Sequence, residues 1–359
     1  VHVACADTDD KEAETQRNRL MTSLAAGDGE DVIVLSGLDD NALAKKGVLM
    51  DLSDIVTPME ENGELLQAIV DGEKAADGKQ QILPIRFALP LLLSKEKRAS
   101  EMTDLAALAK AAEQTDGSLL GTFTGEDLVE TFAPYFMPDI IKDKQLDTEK
   151  LRTVLQELQT IAAHSDLIEK YKKGERASNE WNLPSTMQAV LCQISGFNDA
   201  MFDLAIINLV KGDYTSFENA YIPTVEIGVN ANTKQANLAK EFAVFVMSRE
   251  VQDGDFYDGF PVNKESLHMQ VSLDRSDYAA YTTIEGADGQ EIGLDIEPIK
   301  AADADKLEAL CDSLSKKTVK DAKVLEELEK AVPAYLLGRQ SLDDTISKIQ
   351  DGVKIYLAE

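Results

Sequence analysis

Sixty-five acidic side chains, three histidines and one tryptophan set the chemistry open to this chain of 359 residues. A pair of carboxylates can run acid and base catalysis on a glycosidic bond, and among so many acids only geometry separates a working pair from a chance one. Other reaction classes lack their residues. His2, His164 and His268 show no His-Glu-X-X-His or comparable zinc spacing. There is no Gly-X-Ser-X-Gly elbow and no phosphate-binding loop. Gly27-X-Gly29 lacks a third glycine and follows a helix-like run, which removes the nucleotide reading. Acidic runs at 7–10 and 253–255 lack calcium-loop spacing and read as solvated loops. Cys5, Cys192 and Cys311 are odd in number and far apart, so they form neither a disulfide framework nor a metal knuckle and read as small buried residues or stray thiols. The expectation is a protein that is not an enzyme, with no metal and no cofactor.

A binding role needs only a cleft and side chains that stack on or hydrogen-bond a solute. Trp181 stands in the polar run 178–182. It offers a flat apolar face and an indole donor to a sugar ring, or else is an ordinary partly buried residue. In open α/β sheets ligands gather at the carboxyl ends of strands. That nominates Asp7 and Thr8 after the first strand, and Ser36, Gly37, Leu38 and Asp39 after the second. Ser36 and Asp39 equally suit capping of the next helix. Arg86 and Phe87 could meet a ligand from an extended segment, or Arg86 could pair with one of the many carboxylates. Asn198 and Asp199 could face hydroxyls or cap the helix 200–210, and Tyr221 is similarly placed beside a second extended segment.

The elements that must position these residues follow from periodicity and turn chemistry. Residues 1–6 alternate like a strand, 9–26 read as a helix stopped at Gly27, and 32–35 as a buried strand. A short polar helix then ends at Gly47. The stretch 82–90 holds Pro84 and Pro90, which argue against a central strand along its full length and for an extended crossing segment. Thr124 and Asp127 are spaced as a capping box, and Asp147 can cap a helix whose Leu151, Val154, Leu155, Leu158 and Ile161 share one face. Phe132, Tyr135 and Phe136 fall at helical spacing and read as core. Residues 222–230 form a second extended crossing before a helix over 237–247, with Phe242, Phe245 and Val246 on its apolar face. Ser341 and Asp344 cap a last helix, 342–357, whose buried stripe is Ile346, Ile349, Val353 and Tyr356.

Length and charge bound the whole. A chain this long exceeds one core, so two lobes of roughly 150 residues are expected. A net charge of −29 repels nucleic acid and anionic lipid. The longest apolar runs fall short of the roughly 18 residues of a membrane span. The opening residues show no basic and apolar leader, so any secretion signal or lipid-bearing cysteine is expected upstream.

Three stretches carry a family resemblance. Gly27-Asp28-Gly29-Glu30-Asp31, the run Val32 to Leu35 and then Gly47-Val48-Leu49-Met50-Asp51-Leu52 resemble the Gly-Asp-Gly-Pro-Asp, strand, helix, Gly-Leu-Leu-X-X-Leu order of extracellular solute-binding proteins serving ABC importers; Glu30 replaces the usual proline. Gly259-Phe260-Pro261-Val262-Asn263-Lys264 resembles that family's Gly-X-Pro-Val-Asn-Lys turn, and Gly338-Arg339-Gln340-Ser341 its closing Gly-Lys-X-Ser. Family members carry a strand and helix ahead of the segment matching 1–6. The resemblance implies a type II periplasmic-binding-protein-like α/β fold with a hinge and interlobe cleft. It places lobe 1 at 1–86 and 228–290, and lobe 2 at 87–227 and 291–359. It further implies a monomer that captures a sugar or oligosaccharide for ABC permease subunits by hinge closure, as a membrane-anchored extracellular lipoprotein. An aromatic at Leu35 would favour a sugar, and this chain lacks it. The alternatives are a surface glycan hydrolase or lyase, or a degenerate member that binds a protein partner.

Overall fold

A computed structural model describes residues 10–38, 40–142, 144–172, 183, 187–254, 258–272, 280–285 and 290–358. The first stretch supplies α1 (Asp10–Ala25), β1 (Val32–Val34), α2 (Asp40–Lys45), α3 (Ser53–Glu61), α4 (Gln67–Gly72) and β2 (Leu83–Ser94). Next come α5 (Leu105–Glu113), β3 (Thr122–Thr124), α6 (Gly125–Ile140), β4 (Ile141–Lys142), β5 (Gln145–Leu146), α7 (Thr148–Ala163) and β6 (Asp166–Ile168). They are followed by β7 (Ala189–Ile194), α8 (Phe197–Val210), β8 (Asp213–Ser216), β9 (Ala220–Val229), α9 (Ala236–Met247), α10 (Arg249–Gln252), β10 (Phe260–Pro261) and α11 (Lys264–Ser272). The chain closes with β11 (Ala280–Glu285), β12 (Glu291–Ile296), α12 (Ala301–Ser313), β13 (Lys316–Lys317), α13 (Ala322–Leu336) and α14 (Leu342–Ala358).

The chain divides into two compact units. Unit 1 is Val1–Phe87 with Pro223–Gln270, and unit 2 is Ala88–Ile222 with Val271–Glu359. The last return falls at 270 rather than at the expected 290, because the hairpin β11–β12 packs on α8 of unit 2.

In unit 1, β1 pairs antiparallel with β9, Val32 opposite Val229 and Val34 opposite Ile227, and β10 pairs with β2, Phe260 opposite Phe87 and Pro261 opposite Arg86. Leu24, Ile33, Leu35, Leu43, Leu49 and Ile82 pack beneath α1 and α2. Gly27 takes φ +79° and Gly47 φ +68°, left-handed values that end both helices as their positions predicted. The expected strand over 1–6 lies outside the described residues.

In unit 2, β7 runs antiparallel to β2 from Leu89 opposite Ile194 to Ser94 opposite Ala189, and β8 covers Leu91 to Ser94 on the other edge. Around them α5, α6, α7, α13 and α14 enclose one apolar core holding Phe132, Tyr135, Phe136, Leu155, Leu158, Phe217 and Leu328. Gly125 lets α6 and α13 touch: a Cβ there would lie 2.8 Å from Pro333 Cα. The capping box at Thr124 and Asp127 forms, as do the caps at Asp147 and Ser341.

Three expectations are corrected. Residues 83–94 form one continuous, fully buried strand through both prolines. The missing N–H of Pro90 does no harm: its carbonyl accepts from Phe217 N just beyond the end of β8, so its nitrogen faces a position where no ladder partner is required. On α9 the buried residues are Ala239, Ala243 and Met247, while Phe242 and Phe245 are 47% and 43% exposed. Both sides of this helix are apolar, and the small side chains allow the closer approach. Tyr356 is 37% exposed, its hydroxyl donating to Asp321 Oδ2 (2.8 Å). Among the described residues, no helix is long and apolar enough to cross a membrane.

Candidate functional site

Ser36 and Asn198 stand at strand ends where a solute could reach them. Ser36 follows β1, is exposed, and donates from Oγ to Thr224 O (3.2 Å). Gly37 at φ +76° turns the chain toward α2. Asn198 follows β7, half-buried in the first turn of α8; Gly196 is the residue that caps the helix, so Asn198 and Asp199 lie inside it rather than capping it from outside. Asp199 nevertheless accepts from Ser195 N (2.9 Å) and ties that turn to the strand end. Phe197, between them, is buried.

The other described candidates point inward. Arg86 is 1% exposed, and its guanidinium donates to the carbonyls of Gln252 (3.2 Å) and Gly254 (2.9 Å), with Nε 3.5 Å from Asp258 Oδ1. A cation committed in this way holds structure. Phe87 and Tyr221 are both fully buried, Phe87 with its ring centroid 6.0 Å from that of Phe260 and Tyr221 on the strand edge that β13 covers. Asp7, Asp39 and Trp181 lie outside the described residues.

One grouping escaped notice in the sequence. Asp40, at the start of α2, Glu73, after α4, and Glu226, on β9, bring carboxylate oxygens within 4.8 Å of one another, and Glu73 and Glu226 are buried. Leu35 N donates to Glu226 O, which fixes this cluster beside the end of β1. Carboxylates so placed can accept hydrogen bonds from the hydroxyls of a polyol. Each of the three already has a partner within the protein, so no metal is assigned. A lone acid inside the apolar run of β9 was the available signal.

Unit 2 adds a shallow groove of about 250 Å³ where α8 meets β12 and the start of α12, lined by Met201, Leu204, Leu209, Leu294, Ile299 and Asp303. Beside it the Tyr214 hydroxyl donates to Asp303 Oδ1 (3.1 Å) and Lys306 Nζ lies 3.6 Å over the Tyr214 ring. Burial pushes the Tyr214 phenol up, with the Asp303 charge adding to it, and burial holds the Lys306 ammonium below its ordinary value.

No family model matches the chain, and no curated protein does. Solved structures do. The sugar-binding protein MalE from Xanthomonas citri aligns at TM-score 0.64 and 14% identity over 96% of this chain and 88% of its own. The fold is that of the periplasmic-binding-protein-like structures. A sugar transporter protein from Rhizobium etli in an open conformation aligns at TM-score 0.59 and 15% identity over 95% and 89% of the two chains. The bacterial solute receptor AcbH, which has an exclusive preference for β-D-galactopyranose, aligns at TM-score 0.60 and 13% identity over 96% and 90% of the two chains. At such identities the shared property is the periplasmic-binding-protein-like architecture, which these proteins and the present chain build over nearly their full lengths.

Proposed function

We propose that this chain is an extracellular solute-binding protein that captures a carbohydrate and delivers it to the permease of an ABC importer. The observation that supports this most is the fold match, over about nine-tenths of each chain, to sugar-binding proteins. Capture needs no catalytic set: contacts made only in the closed form shift the open and closed populations when ligand is present. In unit 1, Ser36 with the carboxylates of Asp40, Glu73 and Glu226 is the proposed group for hydrogen-bonding solute hydroxyls, and Asn198 is a separate candidate of unit 2. In this reading the protein works as a monomer held at the cell surface.

A thermal-shift panel of mono- and oligosaccharides, amino acids and short peptides tests the reading. A sugar at 100 times its Kd adds about 2.7 kcal/mol of stability and raises Tm, with the sugar recovered intact. In that complex Trp181→Ala weakens binding tenfold or more if the indole stacks on the ring. A shift from amino acids or peptides alone overturns the carbohydrate assignment, and conversion of the sugar to product overturns the binding-only role.

A further inference from the structure

We propose that the groove of unit 2, where α8 meets β12 and the start of α12, is a second binding site and that it takes a small primary amine: one ammonium on a short apolar chain. Every residue that lines it belongs to unit 2, and it is independent of carbohydrate capture.

The floor is apolar because two apolar surfaces meet there without closing on each other. Met201 and Leu204 of α8 and Leu294 of β12 are buried, whereas Leu209, one turn further along α8, is 41% exposed. The space between them is about 250 Å³. Pockets for drug-sized ligands run to roughly 300–1,000 Å³, so this one suits a smaller molecule and has no room for a helix or a strand. A short hydrocarbon chain lying along Leu204, Leu209 and Leu294 leaves water for carbon contacts. A sugar laid on the same floor finds no partner there for its hydroxyls.

The rim decides the sign of the ligand. Three carboxylates line the groove, Asp295, Glu297 and Asp303, against one ammonium, Lys300. Lys300 Nζ lies 3.4 Å from Glu297 Oε2, so that cation is already answered. Asp303 accepts from the Tyr214 hydroxyl at Oδ1, and the Lys306 ammonium is held over the Tyr214 ring. Asp295 is exposed and makes no ion pair among the described residues. The backbone adds charge of the same sign: Asn208 and Leu209 stand in the last turn of α8, at the negative end of its dipole. An apolar floor under a negative rim repels a carboxylate or a phosphate and matches an ammonium, which donates charge-assisted hydrogen bonds to the acids while its chain fills the floor.

Hexylammonium is the probe, titrated into the full chain and followed by backbone amide NMR shifts over 201–209 and 293–300, beside hexanol, hexanoate and methylammonium. The expected result is saturable shifts there with hexylammonium. Hexanol binds roughly tenfold more weakly for want of the charge-assisted hydrogen bond, methylammonium is weakened for want of the chain, and hexanoate gives no shift. Asp295→Asn weakens hexylammonium roughly threefold, as befits one exposed charge. Asp305→Asn, which removes an exposed acid of α12 outside the groove, matches the parent. Hexanol binding as tightly as hexylammonium, or equal losses in the two variants, overturns the amine assignment, the second because it traces binding to the overall charge of −29. Absence of shifts over those residues overturns the site. A Leu-Lys-Leu peptide that binds there more tightly than hexylammonium assigns the groove to a protein side chain and overturns the free amine.

Discussion

Unit 2 buries Phe132, Tyr135 and Phe217 against one another, the Tyr135 and Phe217 rings meeting edge to face at 5.1 Å. Unit 1 buries Arg86, Gln252, Asn263 and Gln270 among backbone groups. Gln252 alone donates to the carbonyls of Ile85 (3.2 Å) and Val246 (3.0 Å), and accepts from Asn263 N (3.4 Å). Its own carbonyl receives Arg86 and Gln270. Apolar packing is non-directional and forgives small shifts, whereas a buried polar network must satisfy every member at once. The stiffness of unit 1 beside the crossings therefore comes from directed hydrogen bonds, and that of unit 2 from interlocking helices.

The sharpest break of this contrast is Gln252→Ala. It strands two carbonyls and one N–H in a buried site, at about 1–3 kcal/mol each, so unit 1 loses about 3 kcal/mol or more. Denaturant unfolding reads the loss, and amide exchange confines it to 246–270 and the start of β2. A change under about 1 kcal/mol would show that water repairs the network and that the contrast between units is overdrawn.

Unit 2 predicts the opposite response to losing a polar atom. The Tyr135 hydroxyl is buried without a hydrogen-bond partner among the described residues, and burial pushes its phenol up. Removing an unsatisfied hydroxyl while keeping the ring relieves desolvation, so Tyr135→Phe stabilises unit 2 by about 1 kcal/mol. Lost stability would reveal a partner such as bound water and make this core less apolar in character than its side chains suggest.

The same contrast explains what was legible in the sequence. Helices of unit 2 announce themselves through local rules: Thr124 with Asp127, Asp147, and Ser341 with Asp344 cap as their spacing says, and Leu151, Val154, Leu155, Leu158 and Ile161 are buried together. Arg86 gave no such notice, since its partners are carbonyls 165–168 positions away, and a carbonyl has no sequence signature. Pro84 and Pro90 misled for a related reason: whether a proline breaks a strand depends on which neighbour its nitrogen faces. Periodicity placed α9 but could not choose between its two apolar sides. Strand-end logic nominated Ser36, which does follow β1 and is exposed, while the meeting of Asp40, Glu73 and Glu226 depends on three elements far apart in the chain.

Acidity separates the units by smaller steps. In unit 1, burial raises the Asp253 carboxyl, but hydrogen bonds from Ser266 and Arg249 outweigh it and hold the group below its ordinary 3.8; Asp51 is held down against burial in the same way by Ser53 and the Gln80 N–H. A lowered folded value contributes stability that is present above 3.8 and lost as pH falls through the folded value. In unit 2, burial raises Glu157 and Glu329 above their ordinary 4.5, with like charges such as Asp104 and Glu130 adding to it. A raised carboxyl carries a penalty above its folded value that is relieved as pH falls toward 4.5. Amide exchange followed from pH 7 to 3, corrected for intrinsic rates, then shows unit 2 gaining protection first and unit 1 losing it last. If both units instead weaken together from pH 6 downward, repulsion among the many acids is not what limits stability there, since protonation relieves it, and carboxylates common to both units carry the acid response.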